Sequence, residues 1–484
     1  MKKMLRKLGS PIIALLAFAS LGNSQQWQPL KHPVNFQAGA LALLTDGTVL
    51  IHEEQDSNPQ KWYKLTPDDT GSYVNGTVKP IASTSASYGP LYFGSAVLPD
   101  GRYIVEGGEY NNGSAVWTNM GAIYDPAKDK WTPVNPPTGW STIGDAQSVV
   151  LNSGTYMQAN CCNTQQAYFN PKNSSWHYLL DTTKTGKKDR FDEEGWTLLP
   201  TGEVLTVDAI NAPHYEIYSP KTRKWTTPGV VPVRLEDPGT QEIGPMVLRP
   251  DGTVFATGAN SSGAGHTAIY NWKSRSWKAG PDFPGKDNCS DAPASLQING
   301  HLIVMASPGF GDTPATFYDW NGQSLRKIAG PPNASQDSSF YGHFLVLPTG
   351  QLLFSDFSND VEVFTSSGTY KAAWQPTITS VPSTLTHGQT YTVQGTQFNG
   401  LSQGAAYGDD FQDATNFGLV RITNNATGHV FYAKTHDPST MAVNTRTKPV
   451  STSFDVPAGV ETGASSLEVV ANGIPSAATA VTIN

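Results

Sequence analysis

Residues 97–105 read VLPDGRYIV and residues 122–131 read AIYDPAKDKW. In the first stretch two apolar runs flank Asp100 and Gly101, a pair that accepts the positive φ of a tight hairpin turn at low cost. In the second, alternating apolar residues lead through a proline turn to Trp131, the pattern of two further half-buried strands. The two stretches together make one four-stranded antiparallel unit. The unit recurs along the chain. Turn glycines between apolar runs stand at Gly47 (LLTDGTVLI), Gly101, Gly154 (VLNSGTYMQ), Gly202 (LLPTGEVLT), Gly252 (VLRPDGTVF), Gly300 (LQINGHLIV) and Gly350 (VLPTGQLLF), at spacings of 54, 53, 48, 50, 48 and 50 residues. The aromatic partner stretch recurs as AYFNPKNSSW at Trp176, EIYSPKTRKW at Trp225 and AIYNWKSRSW at Trp277.

Composition agrees. Of 484 residues only 15% are charged, while 46 glycines, 35 prolines and 50 aromatic residues supply turns and strand-forming side chains. That suits short strands and excludes a helical bundle or a disordered chain. A formal net charge of −8 argues against a nucleic-acid partner, which needs a basic face to displace counterions.

A period near 50 residues with four strands per unit resembles the kelch repeat. No such unit buries both faces alone, so seven of them predict a closed ring, an all-β seven-bladed kelch-type β-propeller over residues 25–374. Residues 26–30, with Trp27, resemble the WTPV strand that ends the second unit. This segment is therefore expected to pair beside the seventh unit and cover its free edge. From residue 375 the pattern changes to alternating strands with turn signals through LVRITNN, STSFDVP and SSLEVVANGIP. That suits an immunoglobulin-like β-sandwich over 375–484, and its opening resembles the IPT/TIG domains.

The start reads as an export signal over residues 1–24. Lys2, Lys3, Arg6 and Lys7 precede an apolar stretch at 11–21, and Gly22 and Ser24 offer small residues before Gln25. The apolar stretch is too short for a bilayer span. Cleavage would take the net charge from −8 to −12. A secreted or periplasmic protein is expected, monomeric and without a membrane span. Three cysteines make no disulfide framework, and no zinc spacing occurs. Adjacent Cys161 and Cys162 are either a vicinal disulfide or two thiols.

Signal, repeats and C-terminal sandwich together resemble the galactose oxidase-like group of secreted proteins. The resemblance covers nearly the whole chain in architecture and implies an active site on the ring axis, at the openings of the inner strands and the loops after the second strands. It also implies copper held by two tyrosines and two histidines, one tyrosine being linked to a cysteine. Counting back about nine residues from the turn glycines puts Tyr92 in the cysteine's place, Asp145 in that of the linked tyrosine, and Phe340 and Tyr341 in the tyrosine–histidine pair. His343 falls two residues late, and the best match for the ligand from the sandwich is Met441, five residues after His436. None of these positions carries the ligand expected there, so copper is not expected.

What replaces the set is acidic. Asp145, Glu194, Glu242 and Asp291 open the inner strands of four consecutive units and are the candidate catalytic residues. Tyr92, Phe93, Glu54, Glu109, Cys161, Cys162, Tyr341 and His343 are the candidate substrate-binding residues around them. Converging carboxylates repel, so they must share a proton, take a hard cation such as calcium, or bind backbone amides. A pair of them also suits acid–base work on a glycoside. Phe36, Tyr92, Phe93, Tyr110, Trp196 and Tyr341 are the aromatic faces available for sugar stacking. Lys187, Lys188 and Arg190 are read as a loop over the rim able to pair with acidic sugars, and YGDDFQD (407–413) as a plain loop of the sandwich. No nucleophile elbow, P-loop or dinucleotide fingerprint appears.

The expected function is binding or processing of extracellular carbohydrate in an acidic axial pocket, by hydrolase, lyase or epimerase chemistry if catalytic. The alternatives are a noncatalytic module that binds a surface macromolecule, and a degenerate oxidase of the galactose oxidase type.

Overall fold

The seven turn glycines each sit at the tip of a hairpin joining the first two strands of one antiparallel sheet, with φ between +77° and +89°. The computed structural model describes residues 25–54, 59–408, 410 and 413–484. The expected export signal therefore lies outside the described residues. Helix among these residues is limited to one turn at Thr182–Thr185 and three 3-10 turns, so the protein is all-β.

The first strands of the seven sheets are Ala38–Leu43, Gly94–Val97, Ser148–Val150, Thr197–Leu198, Met246–Leu248, Ala294–Leu296 and His343–Val346. First strands of the first to third and of the fourth to seventh sheets lie against their neighbours, as do those of the seventh and first. The buried residues they carry belong to four apolar clusters packed between the sheets. The third and fourth strands show why the aromatic motif repeats. Tyr124 and Trp131, Phe169 and Trp176, Tyr218 and Trp225, and Tyr270 and Trp277 are direct cross-strand partners with ring centroids 5.0–5.2 Å apart. Such pairs contribute about 0.5–1.5 kcal/mol each beyond their burial.

The N-terminal segment closes the seventh sheet, as its sequence predicts. Gln26–Pro29 pairs antiparallel with Glu362–Thr365, with Trp27 opposite Phe364. Trp27 donates its indole N–H to the Ala329 carbonyl at 2.8 Å, and its ring lies 4.8–5.4 Å from Phe317, Phe354 and Phe364.

The C-terminal strands run from Thr377–Ser380 to Thr479–Ile483 in a nine-stranded order around their own core of Val393, Phe398, Val420, Phe454, Leu467 and Val469. They cover the tips of the first, second, third and seventh hairpins. A Cβ on Gly47 would meet Tyr432, and the Thr435 and Met441 amides donate to Thr45 and Asn152 carbonyls at 3.1 Å. This corrects the expectation for Met441, which packs on the hairpin-tip face and not at the strand openings.

A different C-terminal segment reaches the openings. Ala405–Ala406 pairs antiparallel with Ala294 and Ser295, adding a fifth strand to the sixth sheet. The Gln403 side chain accepts the Leu198 amide at 2.7 Å, which ties the segment to the fourth sheet as well. Two glycines permit its close approach. A Cβ on Gly195 would lie 2.4 Å from the Gly408 carbonyl, and one on Gly408 would lie 2.6 Å from Asp291 Oδ1.

Candidate functional site

The strand openings surround a cavity of about 450 Å3. Six carboxylates line it: Glu109, Asp145, Glu193, Glu242, Asp291 and Asp410. Five aromatic rings complete the wall, those of Tyr92, Tyr110, Phe310, Phe340 and Tyr407. No lysine, arginine or histidine lines it among the described residues. Tyr92, Glu193 and Asp291 all have left-handed φ, of 52°, 60° and 47°. Non-glycine residues adopt this region at a cost, and such strain concentrates at functional sites.

The acids converge. One carboxylate oxygen from each of Glu193, Glu242 and Asp291 lies within 4.8 Å of the others, and Glu242 is in hydrogen-bonding reach of both neighbours. Burial raises Glu193 well above the usual carboxylate range, with Asp291 and Asp145 adding to it. Burial lifts Asp291 to about 6 and Glu109 to about 7. Asp145 is also held well up, by burial and then by Asp192 and Glu109. At neutral pH the pocket therefore holds protonated acids beside ionised carboxylates, the pairing acid–base chemistry needs.

Of the four residues expected to be catalytic, Asp145, Glu242 and Asp291 meet in this cavity. Glu194 does not. It is fully buried in the opposite direction, 2.9 Å from Lys187 Nζ, in a cluster with Asp189 and Glu216. Glu193 and Glu194 lie in the turn before Thr197–Leu198, and the left-handed φ of Glu193 turns its side chain into the pocket instead. The signal was present, since Glu193 lies nine residues before Gly202. Lys187 is likewise no rim residue: it is buried as the counter-ion of that cluster, while Lys188 and Arg190 stay exposed, Arg190 paired with Asp192 at 2.7 Å.

The expected binding residues divide. Tyr92 and Glu109 line the cavity. Cys161 and Cys162 form a vicinal disulfide, with the buried Cys161 sulfur against Asp145 and Asp192. Glu54 is buried, accepts the Ala40 amide at 3.0 Å and pairs with His52 at 2.9 Å. It borders a second cavity of about 390 Å3, which shares Tyr92 and Tyr110 with the axial one. Phe93 is a core residue packed on His52 and Trp62, as Phe36 is on Tyr63 and Trp196 on Phe191. Apolar strand residues flanking an opening point inward between sheets, so these faces are not available to a ligand. Tyr341 packs on Phe340 and Phe357 and supports the wall from behind. His343 is buried and stacked on Tyr407, 3.8 Å from Glu54, and burial lowers it to about 4.

Tyr407 and Asp410 were missed. Their stretch reads as an acid-dense loop of the C-terminal unit, and nothing local shows that it threads to the strand openings. There the Tyr407 hydroxyl donates to the Phe340 carbonyl at 2.8 Å.

No family model matches the chain, and no curated protein does. Among solved structures, a fungal alcohol oxidase of the AA5 family in complex with copper aligns with 96% of this chain and 100% of its own, at 15% identity and TM-score 0.55. A streptogramin B lyase aligns with 71% of this chain and 97% of its own, at 11% identity and TM-score 0.48. A virginiamycin B lyase from Staphylococcus aureus aligns with 71% and 99%, at 8% identity and TM-score 0.46. The chain thus shares a galactose oxidase-like fold with the first of these, and at 15% identity the likeness reaches no further than fold. Copper does not fit the donors present. The cavity offers carboxylate and phenol oxygens, whereas copper prefers imidazole and sulfur, and Cys161 is committed to a disulfide.

Proposed function

We propose that the protein is a seven-bladed kelch-type propeller over residues 25–374 with an immunoglobulin-like, IPT/TIG-type sandwich over 375–484. In this reading it is secreted or periplasmic and monomeric, and it binds or processes extracellular carbohydrate at the blade openings. One observation carries the proposal: a cavity of about 450 Å3 whose wall combines six carboxylates with five aromatic rings. Carboxylates accept hydrogen bonds from sugar hydroxyls, while ring faces cover the apolar faces of a pyranose. The neighbouring cavity shares Tyr92 and Tyr110, which gives room for more than one sugar unit. Without a cationic side chain in the wall, the pocket favours neutral or amino sugars over the acidic ones suggested by Lys187 and Arg190.

A noncatalytic module binding a surface macromolecule is the second reading, favoured by Val116, Trp117 and Phe310, which are 43–49% exposed near the cavity. A glycan array on residues 25–484 tests the first reading. Binding of neutral or amino glycans that is lost in Asp145→Asn supports it. An array without any hit, together with capture of an intact cell-surface macromolecule, supports the second.

A further inference from the structure

We propose that Glu193, Glu242 and Asp291 hold a calcium ion in the axial pocket, with Asp145 of the same cavity wall as an outer acid at the opening of the third sheet. Calcium bonds oxygen at about 2.3–2.6 Å, so ligands on opposite sides of one ion stand about 4.8 Å apart. The three carboxylate oxygens lie within 4.8 Å of one another, the span a single ion bridges.

A second observation points the same way. Asp145 is 9% exposed, and its Oδ1 has no hydrogen-bond partner among the described residues, although it faces the cavity. A buried carboxylate oxygen without a donor is costly, and a cation satisfies it. The fourth sheet shows the other solution to crowded acids. There Glu194, Glu216 and Asp189 gather round the buried Lys187. Among the described residues no lysine or arginine lines the axial pocket.

The donor set selects the ion. All-oxygen ligands favour a hard cation, and splayed carboxylates on separate sheets suit the irregular shell of calcium better than the octahedron magnesium demands. Open positions on the ion would then take sugar hydroxyls, and that part of the inference rests on the carbohydrate reading.

The test is calorimetric titration of calcium chloride alone into chelator-treated residues 25–484, with thermal melts alongside. The expected result is one ion per chain and a raised melting temperature, with affinity about tenfold weaker or more in Glu193→Gln and in Asp291→Asn. Both variants should fold, because removing one like charge relieves repulsion. Glu461→Gln, on the C-terminal unit, should bind as wild type. Absence of both heat and melting shift up to about 10 mM calcium, weaker than extracellular calcium modules, overturns the proposal. So does wild-type affinity in the Glu193→Gln/Asp291→Asn double variant. Glycan binding that persists in chelator without calcium heat rejects this ion alone. Calcium heat without any glycan binding rejects the carbohydrate reading alone.

Discussion

Neighbouring glutamates should respond in opposite ways to the same substitution. Glu194 Oε1 lies 2.9 Å from Lys187 Nζ, and its other oxygen accepts the Thr206 hydroxyl at 3.2 Å, all out of solvent. Glu194→Gln keeps the shape but turns a charge-assisted bond into a neutral one. Hydrogen bonds to charged groups contribute about 1.5–3 kcal/mol, and fully breaking a buried ion pair costs about 3–5 kcal/mol. Glu216 at 2.7 Å and Asp189 still compensate Lys187, so a loss of about 2 kcal/mol is expected, near the lower range. Glu193 instead faces Glu242 and Asp291 within 4.8 Å. Two full charges at that distance repel by about 3.5 kcal/mol at an effective dielectric of about 20, and Glu193 faces two such partners. Protonation already removes part of this, so Glu193→Gln should stabilise the calcium-free protein by about 1 kcal/mol at pH 8 and by less at pH 5. Urea denaturation of both variants in chelator at the two pH values reads the difference. Destabilisation by Glu193→Gln with a neutral Glu194→Gln would mean that the two side chains point the other way, and the pocket would be wrongly assigned.

Four further outcomes follow from the structure. Trp27→Ala should lower stability by about 2–4 kcal/mol, somewhat below the range for a fully buried Trp because this ring is half-buried, and should make residues 26–29 the first segment lost in hydrogen exchange. Protection unchanged there would refute the clasp. Asp337 and Glu362 are raised by burial to about 8, and Asp208 and Glu109 to about 7. Raised carboxylates stabilise at low pH and lose that contribution as pH passes their folded values, so the calcium-free melting temperature should fall between pH 6.5 and 8.5; a rise would contradict these burials. The opposing term from His343, lowered to about 4, acts only below pH 6.5. Denatured, unreduced protein should titrate a single thiol, Cys289, and three thiols would exclude the Cys161–Cys162 bond. Copper-loaded protein should yield no galactose-dependent peroxide, and clear turnover would show that another donor set reaches the axis.

The repeat was legible because each sheet is local. Hairpin, proline turn and Tyr–Trp pair lie within one unit, so the phase of Gly47 to Gly350 and the aromatic pairing follow from turn chemistry and alternation. The clasp was legible for the same reason, since Gln26–Pro29 carries the pattern of a fourth strand whose first three are elsewhere. The acidic character of the axis was legible too, because strands opening around one centre must bring their first residues together, and Asp145, Glu242 and Asp291 do meet. Tertiary structure alone decided which of two adjacent glutamates faces that centre. The two glutamates lie in a turn where Glu193 has a left-handed φ, and only the buried Lys187, drawn in from a loop that reads as overhanging the rim, shows which side Glu194 takes. It alone also decided that Tyr407 and Asp410 belong to the site. Their arrival depends on Ala405–Ala406 pairing with a strand more than a hundred residues earlier, where Gly195 and Gly408 leave just enough space, and no local pattern encodes a contact between segments so far apart.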